Sequence, residues 1–451
     1  MTIDIQGLPL VELAFDADGD VDPDGAAALR AALDEHAPTD LLVFSHGWNN
    51  TPSIADRLYR AFYGELAPLL AQHGAPDRKV LLLGVFWPSA RWTDEPIPDF
   101  EPGAAVDLGD GGPAAGLGDA PEFPPPPPPD PDLRALVRDA FPATQGPAVK
   151  ELLDLLVERP DDETAIGRAR DLVAALAAAT GTGGDGEQDD APTSLAQTDP
   201  KAEAFERFAT ALEELGVVTG NQGGAAGFGD RFARLWHGAQ EVARQLTYWQ
   251  MKRRAGTVGS RGLGPFLGEL VRERPELRIS LIGHSFGARV VSYALAGLPD
   301  GAAVESVTLL QGAFSHFAFA GALPFDQGRC GDLFGAQARV RGPIVACHSS
   351  FDSAVGVLYP LASLLAHQDA AAFEDETYRW GGMGHDGHQP DAPAVALRDA
   401  GEPYGFGHSL VNVDAARVVK NGKPPSGAHS DIVHAELAWV VLCAAGLVAQ
   451  R

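Results

Sequence analysis

Two hydrophobic periodicities alternate along this chain. Short apolar runs of strand length are followed by longer stretches with apolar residues three and four positions apart, the period of a helix with one buried face. Residues 10–15 predict a first strand, 24–36 a helix, and 41–44 a short strand that is apolar throughout. Residues 53–72 predict a helix with Leu58, Phe62, Leu66 and Leu69/Leu70 on one side, and 80–86 a buried strand ending at Trp87-Pro88. The alternation resumes near residue 261 with a helix over 263–272, a strand over 279–282 and an amphipathic run over 288–298. Strands over 304–310 and 344–347, a helix over 354–366, a strand over 410–413 and a helix over 431–447 follow. Apolar strands separated by one-faced helices predict an α/β architecture, a mostly parallel sheet covered by helices.

The middle of the chain breaks this rhythm. Residues 93–130 are rich in Pro, Gly and Asp, with six consecutive prolines at 124–129, and 181–200 form a second polar stretch. Such composition builds no packed core, and the proline run is expected to be extended and stiff. Helical patterns lie between and after these stretches, over 148–158, 165–179, 202–215 and 231–251. We therefore expect a core made of 1–92 and 241–451, interrupted by a helical insertion over 93–240. The insertion reads as a cap over one edge of the sheet, as a remote decoration, or as a surface for a protein partner. Phe205, Phe208, Phe228, Phe232 and Trp236 line a pocket or form its core.

Composition narrows the function classes. The formal net charge of −27 over 451 residues repels polyanions, so no nucleic-acid partner is expected. The N-terminus has no basic, apolar leader, and no apolar run approaches the length of a membrane span. A cytoplasmic protein without an integral membrane segment is expected. Cys330, Cys347 and Cys443 have no metal-ligand spacing and read as small buried hydrophobes.

The strand at 279–282 runs into Gly283-His284-Ser285-Phe286-Gly287, and a helix follows. This is G-x-S-x-G in the strand–turn–helix setting that gives it meaning. A nucleophilic serine stands on a sharp turn, Gly283 and Gly287 leave room for crowded backbones, and the helix start at Phe286 aims N–H groups at an anion.

A serine hydroxyl needs a base, and the base needs an acid to fix its tautomer. In parallel sheets such groups sit beyond the carboxyl ends of strands. Asp352 follows one such strand end, where an Asp also serves as a helix N-cap. Asp326 and Asp332 are rivals in a less regular loop. His429 lies in the loop before the C-terminal helix, the place for the base. His434 is placed inside that helix, and His408 at the wrong end of the preceding strand. His385 and His388 flank Asp386-Gly387 in a Gly-rich loop without metal-site spacing. The earlier strand at 41–44 breaks into Ser45-His46-Gly47-Trp48-Asn49-Asn50. Together with Phe286, Gly47 or Trp48 is expected to supply the N–H donors of an oxyanion hole, with His46 part of the same loop.

Strand-His-Gly-Trp-Asn-Asn, strand-Phe-Trp-Pro-Ser at 86–89 and Gly-His-Ser-Phe-Gly together resemble the α/β-hydrolase superfamily, and within it a bacterial serine-esterase-like branch. The ending Gly-Ala-His-Ser-Asp-Ile at 427–432 is similar to that branch's histidine loop. The resemblance covers roughly 40–92 and 245–451 and leaves out the insertion. It implies an eight-stranded, mostly parallel sheet with Ser285 as nucleophile, Asp352 as acid and His429 as base. The expected activity is hydrolysis of a carboxylic ester on a small acyl substrate, with no cofactor and no metal. Amide, peptide or thioester cleavage, acyl transfer, and a non-catalytic binding role on the same fold are the alternatives.

Overall fold

A computed structural model describes residues 2–89, 141, 143–179, 205–206, 209–210, 228–358, 381–407, 409–422 and 426–449. Among these residues the strands form one sheet: β1 (Ile3–Ile5), β2 (Leu8–Ala14), β3 (Asp40–Ser45), β4 (Val80–Phe86), β5 (Arg278–His284), β6 (Ser306–Leu310), β7 (Ile344–His348), β8 (Ala394–Ala396) and β9 (Leu410–Asp414). Their order is β1-β2-β4-β3-β5-β6-β7-β9-β8. Every pairing is parallel except β1 with β2, a hairpin turned by Gln6-Gly7, both at positive φ. The chain is thus an α/β protein with nine described strands, where the resemblance implied eight and the hydrophobic pattern marked seven. The two that the pattern passed over, β1 and β8, span three residues each, too short for a periodicity to register.

Helices α1 (Pro23–His36), α2 (Pro52–His73), α3 (Gly146–Glu158), α4 (Glu163–Ala179), α5 (Phe228–Thr257), α6 (Gly264–Glu273), α7 (Phe286–Gly297), α8 (Met383–Asp386) and α9 (Ala435–Ala444) accompany the sheet. A π-helical turn, Val258–Leu263, joins α5 to α6. Local chemistry sets the starts of the first two. The Asp22 carboxylate accepts from the Gly25 N–H ahead of α1, and Thr51 Oγ1 accepts from the Ile54 N–H ahead of α2, each with proline in the first turn.

Because the sheet is covered on both faces, alternate residues of one strand enter different cores. Leu41 and Val43 join the cluster with α1, α5, α6 and α7; Leu42 and Phe44 join the cluster with α2 and α9. The first cluster also takes in Leu152 and Leu156 of α3, Leu172 of α4 and Trp236 of α5. Helices of the predicted insertion therefore share one hydrophobic core with the sheet. α5 runs unbroken through residue 240, the boundary that composition suggested.

Two predicted helices differ in extent. The run expected over 431–447 is helical only over α9, because residues 426–434 hold the His429 loop. The run expected over 354–366 opens as a π-helical turn at Ala354–Leu358, and its remainder lies outside the described residues. So do the proline run, Phe208, His408 and most of 202–215. Phe205, Phe232 and Trp236 are buried in the first core. Among the described residues no helix is long and apolar enough to cross a membrane. Cys330, Cys347 and Cys443 are free thiols; burial pushes Cys347 up to about 12, and Cys330 is exposed rather than buried as expected.

Candidate active site

The parallel strands deliver their loops to one edge of the sheet, beyond their carboxyl ends. There β3 leads to His46-Gly47, β4 to Trp87, β5 to Ser285, β7 to Asp352 and β9 to the loop holding His429.

Ser285 sits between β5 and α7 with φ 56° and ψ −123°. A non-glycine residue in that region carries strain of about 1–3 kcal/mol, so the surroundings must enforce it. Glycines make the enforcement possible. A Cβ on Gly283 would lie 2.4 Å from the Ala288 Cα, and one on Gly287 would lie 2.0 Å from the Ser45 carbonyl oxygen. Main-chain bonds then fix the turn: the Ser285 N–H donates to Leu310 O, and its carbonyl accepts from the Ala288 and Ala313 N–H groups.

The expected acid and base meet at this serine. His429 Nδ1 lies 2.8 Å from Asp352 Oδ2, and its Nε2 lies 2.8 Å from Ser285 Oγ. A carboxylate only accepts, so Nδ1 carries the proton and Nε2 is left to accept from the hydroxyl. Asp352 is fully buried, and its second oxygen accepts from the Val355 N–H at 3.0 Å. It thus serves as a helix cap and as a partner of His429 at once. Its loop is laced to the histidine loop: Ala428 N–H donates to Phe351 O, Ala354 N–H donates to Ser426 O, and Asp352 faces Gly427 in an antiparallel bridge. Gly427 has φ 59°, and a Cβ there would meet Phe351 O at 2.5 Å.

The other candidates lie apart. Asp326 accepts from the Gly328 N–H in an exposed turn, and Asp332 accepts from Tyr293 Oη at 3.1 Å. His434 stands at the residue just before α9 rather than inside the helix, and its ring bonds Asp431. Asp386 receives His316 Nδ1 at 2.8 Å, while His388 is buried, which lowers it to about 3. Among the described residues no His, Cys, Asp and Glu group is arranged to hold a metal.

The β3 loop presses on the serine. A Cβ on Gly47 would lie 2.6 Å from Ser285 Cβ, so only glycine fits. The His46 N–H is engaged with Tyr59 Oη at 2.9 Å, which leaves the Gly47 and Trp48 N–H groups as that loop's backbone donors near the serine. Phe286, at the start of α7, offers another N–H without an intrahelical acceptor. Two such donors on one side of a hydroxyl can hold an anionic oxygen.

A set of side chains freezes this loop. His46 Nδ1 donates to Gly47 O at 2.8 Å, its Nε2 accepts from the Trp87 N–H at 3.3 Å, and its ring stacks on Trp87. Trp87 Nε1 returns a bond to His46 O at 2.9 Å. Full burial lowers His46 to about 4, so it is neutral and keeps one donor and one acceptor nitrogen. Asn50 Nδ2 donates to the Gly47 and Trp48 carbonyls, and Ser89 Oγ donates to Asn50 O. These bonds give roles to Asn50, Trp87 and Ser89, which the sequence left unassigned. Tyr59 was missed: its hydroxyl accepts from His46 and donates to Val85 O, but it lies on α2 in a stripe that reads only as core.

No family model, curated protein or solved structure matches this chain.

Proposed function

We propose that this protein is a serine hydrolase that cleaves a carboxylic ester through an acyl-enzyme on Ser285. The observation that carries the reading is the unbroken hydrogen-bond chain Asp352–His429–Ser285, with Gly47 packed against the serine. In this reading the sheet belongs to the α/β-hydrolase type. The attachment of Ser285, Asp352 and His429 to three parallel strands, in the chain order Ser, Asp, His, supports that assignment.

His429 Nε2 takes the Ser285 proton as Oγ bonds to the ester carbon. The carbonyl oxygen becomes an oxyanion held by the N–H of Phe286 and that of Gly47 or Trp48. Asp352 keeps Nδ1 protonated and steadies the imidazolium. The oxyanion collapses, the carbon–oxygen bond to the alcohol breaks, and the alcohol leaves with the proton from Nε2. Water then gives a proton to Nε2 as its oxygen attacks the acyl carbon. The second collapse releases the acid and returns the proton to Ser285.

The helices α3–α5 are read as part of a cap over this edge. Tyr248 of α5 packs against Trp48 and Phe286, with ring centroids at 5.8 and 4.8 Å, so α5 reaches the proposed oxyanion donors.

The test is labelling by a fluorophosphonate together with a chain-length series of p-nitrophenyl esters. The parent is expected to label and turn over, and Ser285→Ala to do neither while melting at the same temperature. Equal turnover in Ser285→Ala would sink the proposal.

A further inference from the structure

The residue before the serine reaches across to the proposed base. His284 Nε2 lies 2.9 Å from the backbone oxygen of His429, and the two rings are 5.2 Å apart. A carbonyl only accepts, so Nε2 carries the proton and Nδ1 does not. Nδ1 is buried without a hydrogen-bond partner. His284 is fully enclosed, with His429 and His46 as its titratable neighbours. Burial, reinforced by His429, lowers it to about 3, so it is neutral near pH 7 and the His429 carbonyl selects the tautomer with the proton on Nε2.

Two consecutive residues at the β5 end therefore grip the histidine loop, Ser285 at the side chain and His284 at the main chain. The loop is also tied to the Asp352 segment and, through the Asp431 carboxylate, to the Lys420 and Asn421 N–H groups, but the His284 bond is the one that reaches it from the serine's own strand. We infer that His284 is a positioning residue: its bond to the His429 carbonyl fixes where the imidazole stands between Asp352 and Ser285. This rests on the proposed serine-hydrolase reading. The physical reason is the steep cost of misplacing a general base, about 100-fold in rate for a shift of about 1 Å.

The experiment compares the parent with His284→Leu, which fills the space without a donor, His284→Asn, whose shorter amide falls short of the carbonyl, and His284→Gln, whose amide N–H has the reach. The readouts are the second-order rate of fluorophosphonate labelling, kcat and KM on a p-nitrophenyl ester, the pH profile of kcat, melting temperature, and the low-field Nδ1 proton resonance of His429. In Leu and Asn, labelling and kcat are expected to fall about 10- to 100-fold. KM should stay within about threefold, the acid limb of the profile should move, and the low-field proton should broaden. His284→Gln should restore most of the rate. A His284→Leu or His284→Asn protein that folds, labels at the parent rate and keeps the parent pH profile would overturn the inference. Failure of His284→Gln to recover any rate lost in folded Leu or Asn would overturn it too. Should the parent itself never label, the hydrolase reading falls. The positioning role is then judged by the proton resonance alone, and its persistence in Leu and Asn would refute it.

Discussion

Gly47 shows how far one missing side chain matters. Its Cα faces the serine so closely that an added methyl would overlap Ser285 Cβ at 2.6 Å and crowd Oγ at 3.1 Å. Both neighbours are immobile, since Ser285 is held at a strained φ and the β3 loop is bonded through His46 and Asn50. Gly47→Ala must therefore displace the loop, and with it a proposed oxyanion donor. Loss of one such donor costs about 100- to 1,000-fold in kcat. We expect that loss in ester turnover with a melting temperature within a few degrees of the parent; turnover within a factor of three would show that the loop has room to move. At this scale the sequence was informative where chemistry restricts residue type. Ser285, Asp352 and His429, which the structure brings together, could be picked out as candidates because a nucleophile, an acid and a base are expected beyond strand ends. Tyr59, Asn50 and Ser89 could not be given roles, because their bonds go to backbone carbonyls, across to other segments for Tyr59 and Ser89 and within its own loop for Asn50, and such bonds leave no trace in composition or period.

Elements repeat the pattern of what a sequence reveals. Continuous apolar strands and long one-faced helices were legible because burial on one side or on both imposes the period directly. The start of α9 was not, because competing tertiary bonds hold residues 426–434 out of the helix. The Asp431 carboxylate accepts from the Lys420 and Asn421 N–H groups, contacts made across the loop rather than along a helix, and also bonds His434 three residues on. The insertion was legible as helical, but its shared core with the sheet was not. Trp236 of α5 is 1% exposed within the same cluster as Leu81 and Leu281, and its Nε1 donates to Pro160 O. Trp236→Ala is expected to lower the stability of the whole protein by about 3–5 kcal/mol, the range for a large buried aromatic. Chemical denaturation followed by circular dichroism reads this as one earlier transition over all helical signal. An unchanged main transition beside a separate, weakened one would mean that the insertion unfolds on its own.

For the molecule as a whole, His46, His284 and His388 are, among the described residues, buried histidines held in neutral form. His46 is lowered to about 4, His284 to about 3 and His388 to about 3, each chiefly by burial. The unfolded chain protonates these groups near pH 6.5, so between that value and the folded values it binds more protons than the folded protein does. Stability is therefore fully present above about pH 6.5 and is lost as pH falls toward 4, by an amount on the order of 3 kcal/mol for His46. Melting temperatures should begin to drop between pH 6.5 and 5, before carboxylates titrate, and His388→Gln should shrink that early drop. A flat profile down to pH 5 would contradict the buried neutral assignment.

The separation of the site along the chain has its own consequence for synthesis. Ser285 stands 144 residues ahead of His429, and Asp352 stands 77 residues ahead of it. At about 5–20 residues per second, the ribosome adds the histidine roughly 7–30 s after the serine. Until β9 docks against β7, the nascent chain displays a serine with no base beside it. On the proposed serine-hydrolase reading, chemical competence thus arrives as one of the late events of folding, and a chain cut short before residue 429 is expected to be inert toward esters and phosphonates.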